Sequence, residues 1–246
     1  MKSLPKLIQV EAKLFLREPA TLLFTLLLPL GLMLVFGLGF RDDPAPAGPG
    51  QQQQPTFLPA LSLMIAVGML GFFGLPSVLG AYREKGILRR LSTTPVHPAQ
   101  LLIAQLVVQL ATALVAVLAL VVVGHYVVGL PFPQNVGGFL LAVVLGLSSL
   151  FALGLVVAAL SPTARIAGSV GPLLFFPLLF LAGTWLPRDK MPHLLATIGE
   201  YSPLGALVDT VAAAWGGAAP HADQLAVMAG LAVVLGTLAA RLFRWE

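Results

Sequence analysis

Residues 83–96 read REKGILRRLSTTPV and hold the densest cluster of charge in a chain that is otherwise apolar. Arg83, Glu84, Lys85, Arg89 and Arg90 are groups able to pair with another protein's surface, and Gly86 among them gives the backbone a place to bend. Nothing beside them supplies the parts that bond-making chemistry needs. The chain has no cysteine, which excludes disulfides and thiolate metal centres, and His97, His125, His193 and His221 are too far apart in sequence to form a metal-ligand motif. No GxxxxGK[ST] phosphate loop occurs, so the chain lacks the usual means of hydrolysing ATP. Recognition, not catalysis, is what these residue types predict.

Two acids stand nearest the apolar stretches, Glu200 and Asp209. An acid at membrane depth is costly and marks a substrate or proton site; Glu200 in such a place would bind a cationic substrate or report on protons. At the outer surface both acids are simply solvated, and that is the expected state. No acid falls within the first five apolar segments. This counts against a secondary transporter or channel working without an ATPase, because ion coupling calls for polar groups at mid-span. A membrane enzyme acting on lipids would need a polar cluster at one leaflet, and His193, Glu200 and His221 have no recognisable spacing for one.

The elements that must position these residues are membrane helices. The 246 residues are 58% hydrophobic and only 10% charged, against about 25% charged in a soluble domain, with a mean hydropathy of +0.93. Apolar runs lie at about 20–40, 57–80, 99–123, 138–160, 166–186 and 223–240, the last being the shortest. Most reach the roughly 20 residues needed to cross about 30 Å of hydrocarbon, whereas barrel strands would be shorter and alternating. The expected fold is an all-α polytopic membrane protein, a single transmembrane domain of six helices over residues 1–246. The run at 19–40 is too long for the core of a cleaved signal peptide and is expected to stay as an anchor. Between Leu91 and Ala164 no Asp, Glu, Lys or Arg occurs; GHYVVGLPFPQNVGG, residues 124–138, breaks that interval at an external turn.

Six spans put both termini on one side. That side receives Lys2, Lys6, Lys13, Arg17, Arg83, Lys85, Arg89, Arg90, Arg165, Arg241 and Arg244, and the other only Arg41, Arg188 and Lys190. The positive-inside rule then places both termini in the cytoplasm of a cell inner membrane. The net charge of +4 reads as topology, and no extended basic surface is left for nucleic acid. Lys6, Lys13 and Arg17, with Lys2 and Gln9, recur at helical spacing beside an apolar side marked by Leu7, Val10 and Leu14. This predicts an interfacial helix over residues 1–18 on the cytoplasmic leaflet, with Glu18-Pro19 turning the chain into the first span. Residues 41–56, RDDPAPAGPGQQQQPT, read as a flexible linker. Pro29, Pro59, Pro76, Pro172 and Pro177 are expected to kink their spans. Ala232, Gly236 and Ala240 form a small-residue face for close packing, within one subunit or between two.

The stretch 82–98, YREKGILRRLSTTPVHP, resembles one region of the ABC-2 type membrane subunits of ABC transporters. Arg83-Glu84-Lys85-Gly86, Leu88-Arg89-Arg90-Leu91 and Thr94-Pro95 carry the likeness. The run 172–209 is similar too: Pro177 through Gly183, then Pro187, Pro192 and Pro203 ahead of Val208-Asp209, with Ala182 where the family often has serine. The likeness covers almost the whole chain and is nearest in flavour to the drug-resistance permease group that includes the daunorubicin exporter.

The resemblance implies a permease paired with a separate ATP-binding subunit, usually two copies of each. ATP and Mg would be bound by the partner, and no cofactor by this chain. The resemblance assigns Arg83, Glu84, Lys85, Gly86, Arg89 and Arg90 to the ATPase contact, bordered by Lys6, Lys13 and Arg17 of the N-terminal helix in contact with membrane lipid. The plain alternative for that loop is a basic topology signal with no partner. Over about 187–222 the resemblance implies short helices re-entering the outer leaflet, with Pro177, Gly183, Pro187, Glu200 and Pro203 as an outer gate or cap. The function implied is export of a hydrophobic or amphipathic compound, drug-like or lipid-like, by alternating access. Export of polysaccharide or lipid-linked glycan is another role within the wider family.

Overall fold

The computed structural model describes residues 3–17, 23–39, 57–87, 98–186 and 188–242. Among them the regular structure is entirely helical. Helix α1 is Ser3–Leu16. Helix α2 starts as a π turn, Leu23–Leu27, and continues as Leu28–Gly39. Helix α3 joins Phe57–Met69, a π turn at Leu70–Gly74, and Leu75–Glu84. Helix α4 is Pro98–Val123 with a π-helical tail, Gly124–Val128. Helices α5, Val136–Leu160, and α6, Ala164–Leu181, follow. A 3-10 turn, Arg188–Lys190, leads to α7, His193–Glu200, α8, Pro203–Trp215, and α9, Ala222–Leu242.

Among the described residues, five stretches are long and apolar enough to cross a membrane: Leu58–Glu84, Ile103–Val128, Val136–Leu160, Ala164–Leu181 and Ala222–Leu242. Leu28–Gly39 is shorter, and residues 20–22 and 40 of the first expected span lie outside the described residues, as does the 41–56 linker. The turn expected over 124–138 is narrower, because the α4 tail and the start of α5 take up both its ends. Asn135 starts α5 by accepting the Gly138 N–H at 2.9 Å. The fifth expected span stops at Leu181 instead of 186, and Gly183, with φ +89°, turns the chain away. The last helix is longer than its apolar run. Asp223 and Arg241 lie in its first and last turns, each at the pole that favours its charge.

Helix α3 is the central rod, largely buried against α5, α6 and α8. Its middle is shaped by one proline. The Leu75 N–H bonds to the Leu70 carbonyl, and Pro76 has no N–H to give. The Gly71 carbonyl is therefore passed over by both residues that would serve it, and the helix takes a π turn just before the proline. The neighbouring helices set glycines on this stretch. Gly154 of α5 lies against the Gly71 carbonyl oxygen and Gly171 of α6 against that of Phe72, each so close that a Cβ would collide. Such approaches suit Cα–H···O contacts. Phe175 of α6 then packs on Phe72 and Phe73, with ring centroids 5.7 and 5.9 Å apart. At the end away from α1, Trp215 of α8 is buried and its indole N–H donates to the Pro131 carbonyl at 2.8 Å.

Candidate functional site

The ends of α3 and α4, helix α1 and the α5–α6 turn meet at one end of the bundle, where most of the expected contact residues fall. Arg83 and Glu84 belong to the last turn of α3. Arg83 donates from Nη1 to the Ala158 carbonyl at 2.7 Å and to the Ser161 carbonyl, and from Nη2 to the Ala159 carbonyl at 3.4 Å. These carbonyls end α5, where the backbone has no further N–H of its own to offer and a cation is favoured. Glu84 Oε1 accepts the N–H of Ala164, the first residue of α6, at 3.0 Å, where an acid is favoured. One turn earlier, Gly80 lies flat on the same place: a Cβ there would come within 2.6 Å of the Ala164 Cα.

Adjacent residues of one helix thus hold two helix ends of opposite polarity, with Ser161–Thr163 clamped between them. Arg83 and Glu84, expected to face a partner, are engaged within their own chain. Lys85 follows them, exposed. Gly86 has φ +65° and ends α3, the bend expected of it. Arg89 and Arg90 lie outside the described residues.

On α1, Lys6, Lys13 and Arg17 are exposed. The buried stripe differs from the expected one. Val10 and Leu14 are 52% and 46% exposed, while Phe15 and Glu11 are buried. Glu11 accepts hydrogen bonds from the Tyr82 hydroxyl of α3 at 2.7 Å and from Gln105 Nε2 of α4. Burial pushes its carboxyl above the usual range, and the two hydrogen bonds pull against that rise. Gln109, one turn beyond Gln105, is buried beside Gly74, and its Oε1 has no partner among the described residues. Sequence reasoning passed over Glu11, although it stands four residues from both Leu7 and Phe15 and so on their face.

At the other end, Arg188 grips both carboxylate oxygens of Asp209, with Nη2–Oδ1 at 2.6 Å. Gln224 Nε2 of α9 donates to Asp209 Oδ2 at 3.1 Å, and Arg188 also reaches the Ala182 carbonyl at 3.3 Å. Asp209, expected to be solvated, is ion-paired instead, because α8 packs into the bundle and brings it beneath the Arg188–Lys190 turn. Glu200 is half-buried at the end of α7. Pro203 is buried in the first turn of α8, which Ser202 caps by accepting the Gly205 N–H at 3.1 Å. Pro177 is exposed on α6, Gly183 lies just beyond that helix, and Pro187 lies outside the described residues.

A family model described as ABC-2 type transporter matches residues 4–214. Among curated proteins, the chain is similar to the inner membrane transport permease YhhJ of Escherichia coli strain K12. The two are 27% identical over 136 residues, which make up 55% of this chain and 35% of that protein. The permease of the same name from Shigella flexneri matches to the same extent. The aligned stretch therefore spans about a third of the length of these relatives.

Proposed function

The chain belongs to the ABC-2 type transporter family, and from that premise we propose that it is the membrane permease of an ATP-driven exporter. It sits in the inner membrane as a multi-pass protein with both termini in the cytoplasm. Helices α2, α3, α4, α5, α6 and α9 are its six spans, α1 lies on the cytoplasmic leaflet, and α7 and α8 re-enter from the outer one. Two copies enclose a pathway for a hydrophobic or amphipathic compound, drug-like or lipid-like. A separate subunit binds ATP and Mg and hydrolyses the ATP; this chain binds no cofactor. Transport needs only that the substrate bind the two conformations differently.

The observation that carries this reading is the clamp made by Arg83 and Glu84. A push on the segment beyond Gly86 acts on the end of α3. Charge-assisted hydrogen bonds to two helix ends, backed by the Gly80 contact, pass it to α5 and α6 before the loop can absorb it. Lys85, Arg89 and Arg90 are left to receive the ATPase, and Arg83 and Glu84 transmit. At the outer end, Arg188, Asp209 and Gln224 bind the 3-10 turn, α8 and α9 into one unit.

The test compares three versions of the chain co-purified with its ATP-binding subunit in lipid nanodiscs. The Lys85→Ala, Arg89→Ala, Arg90→Ala variant is expected to lose the complex or at least tenfold of its ATPase activity, as loss of several interfacial charges would give. Arg83→Gln is expected to keep the complex and its ATPase but lose transport. Failure of every preparation to hold an ATP-binding partner, or wild-type behaviour in both variants, would sink the proposal.

A further inference from the structure

A cavity of about 260 Å³ lies where α1 meets the ends of α3 and α4. Its wall is apolar, made by Leu14, Phe15, Val78 and Ile87. On its polar side Glu11 is already engaged by Tyr82 and Gln105. Arg17 from α1 and Lys85 from the end of α3 also line it, both exposed and neither in an ion pair among the described residues.

Two exposed cations on different elements, beside a hydrocarbon wall, match one chemistry closely. A phosphodiester takes the charge-assisted bonds, and the first methylenes of its acyl chains cover Leu14, Phe15, Val78 and Ile87. A small soluble anion would leave that wall in water. The Glu11 carboxyl is already taken up by Tyr82 and Gln105, which leaves the phosphate to Arg17 and Lys85. Basic pockets at the cytoplasmic ends of membrane helices meet a leaflet rich in anionic lipid.

We propose that this cavity is a binding site for the headgroup of an anionic phospholipid. The inference rests on the reading of α1 as an interfacial helix given above. A lipid held there joins Arg17 of α1 to Lys85 at the end of α3, which is shared with the surface assigned to the ATPase.

Native mass spectrometry of the purified permease alone, in detergent, tests it. Phosphatidylglycerol and phosphatidylcholine are titrated in turn. The wild type is expected to favour phosphatidylglycerol about thirtyfold, the scale that two cations at a membrane surface produce. Arg17→Gln with Lys85→Gln should abolish the preference, and Arg17→Lys with Lys85→Arg should keep it. Lys6→Gln with Lys13→Gln, which removes two exposed cations of α1 outside the cavity, should also keep it. Inorganic phosphate at equal concentration should not displace the lipid.

Absence of a preference in the wild type would overturn the proposal, as would its survival in the Arg17/Lys85 variant. Equal loss in the Lys6/Lys13 variant would reassign it to diffuse surface charge, and displacement by phosphate would reassign the site to a free anion. The substituted side chains are exposed, so elution at the wild-type volume is expected throughout and certifies the fold. No ATP-binding partner is present in this experiment. Its result is therefore separate from that of the coupling test, which can fail while phosphatidylglycerol still binds.

Discussion

The Glu11 carboxyl is pulled two ways: burial favours its protonated form, and the hydrogen bonds from Tyr82 and Gln105 favour the charged one. Burial prevails, so the folded chain holds this proton more tightly than the unfolded chain does. The contribution to stability is full below the unfolded carboxylate value of about 4.3 and is lost as pH rises through the raised folded value. Glu11→Gln keeps an acceptor for Tyr82 without the ionisation. Melting temperature in detergent should therefore fall more steeply with rising pH for the wild type than for Glu11→Gln. Parallel curves would refute the burial argument. The position of Glu11 on an apolar face was legible in the spacing Leu7, Glu11, Phe15; the apolar side was instead drawn through Leu7, Val10 and Leu14, which left it out. The Asp209–Arg188 pair was not legible, because its partners stand 21 residues apart across a turn and a helix, and no periodicity announces such a contact.

Helices fared better than their joints. Five of the six long apolar runs became helices long enough to cross a membrane, because hydropathy is a sum over many residues and tolerates local error. The π turn in α3 follows from a single proline meeting two glycine contacts from other helices, which no window along the chain can register. The clamp is hidden for a related reason. Helix caps are sought next to the ends they serve, and here they come from 75 and 80 residues away. The close seating of α3 on α5 makes a direct prediction. Gly154→Val sets a side chain against the Gly71 carbonyl and should cost about 1–3 kcal/mol through overpacking, read as a lowered unfolding temperature. Gly168→Val on α6 has nothing within 4 Å and serves as the control, with little change expected.

Across the whole molecule the charge asymmetry and the placement of exposed lysines are the features open to the simplest check. The chain has no cysteine of its own, so a single introduced thiol reports its side without background. Lys13→Cys and Lys190→Cys replace exposed residues at opposite ends of the bundle. A membrane-impermeant maleimide added to intact cells should label Lys190→Cys and leave Lys13→Cys untouched; the reverse would invert the proposed orientation. Between those two ends, α3 is a rod of ~40 Å at 1.5 Å per residue. Arg83 and Glu84 are adjacent on it and so point about 100° apart around its axis. Rolling α3 by one residue would carry Glu84 toward the carbonyl end of α5, where an acid is repelled, and take Arg83 off it. The rod is keyed against rotation at this end, so two bonds to neighbouring helices set the direction its faces point as well as where it sits.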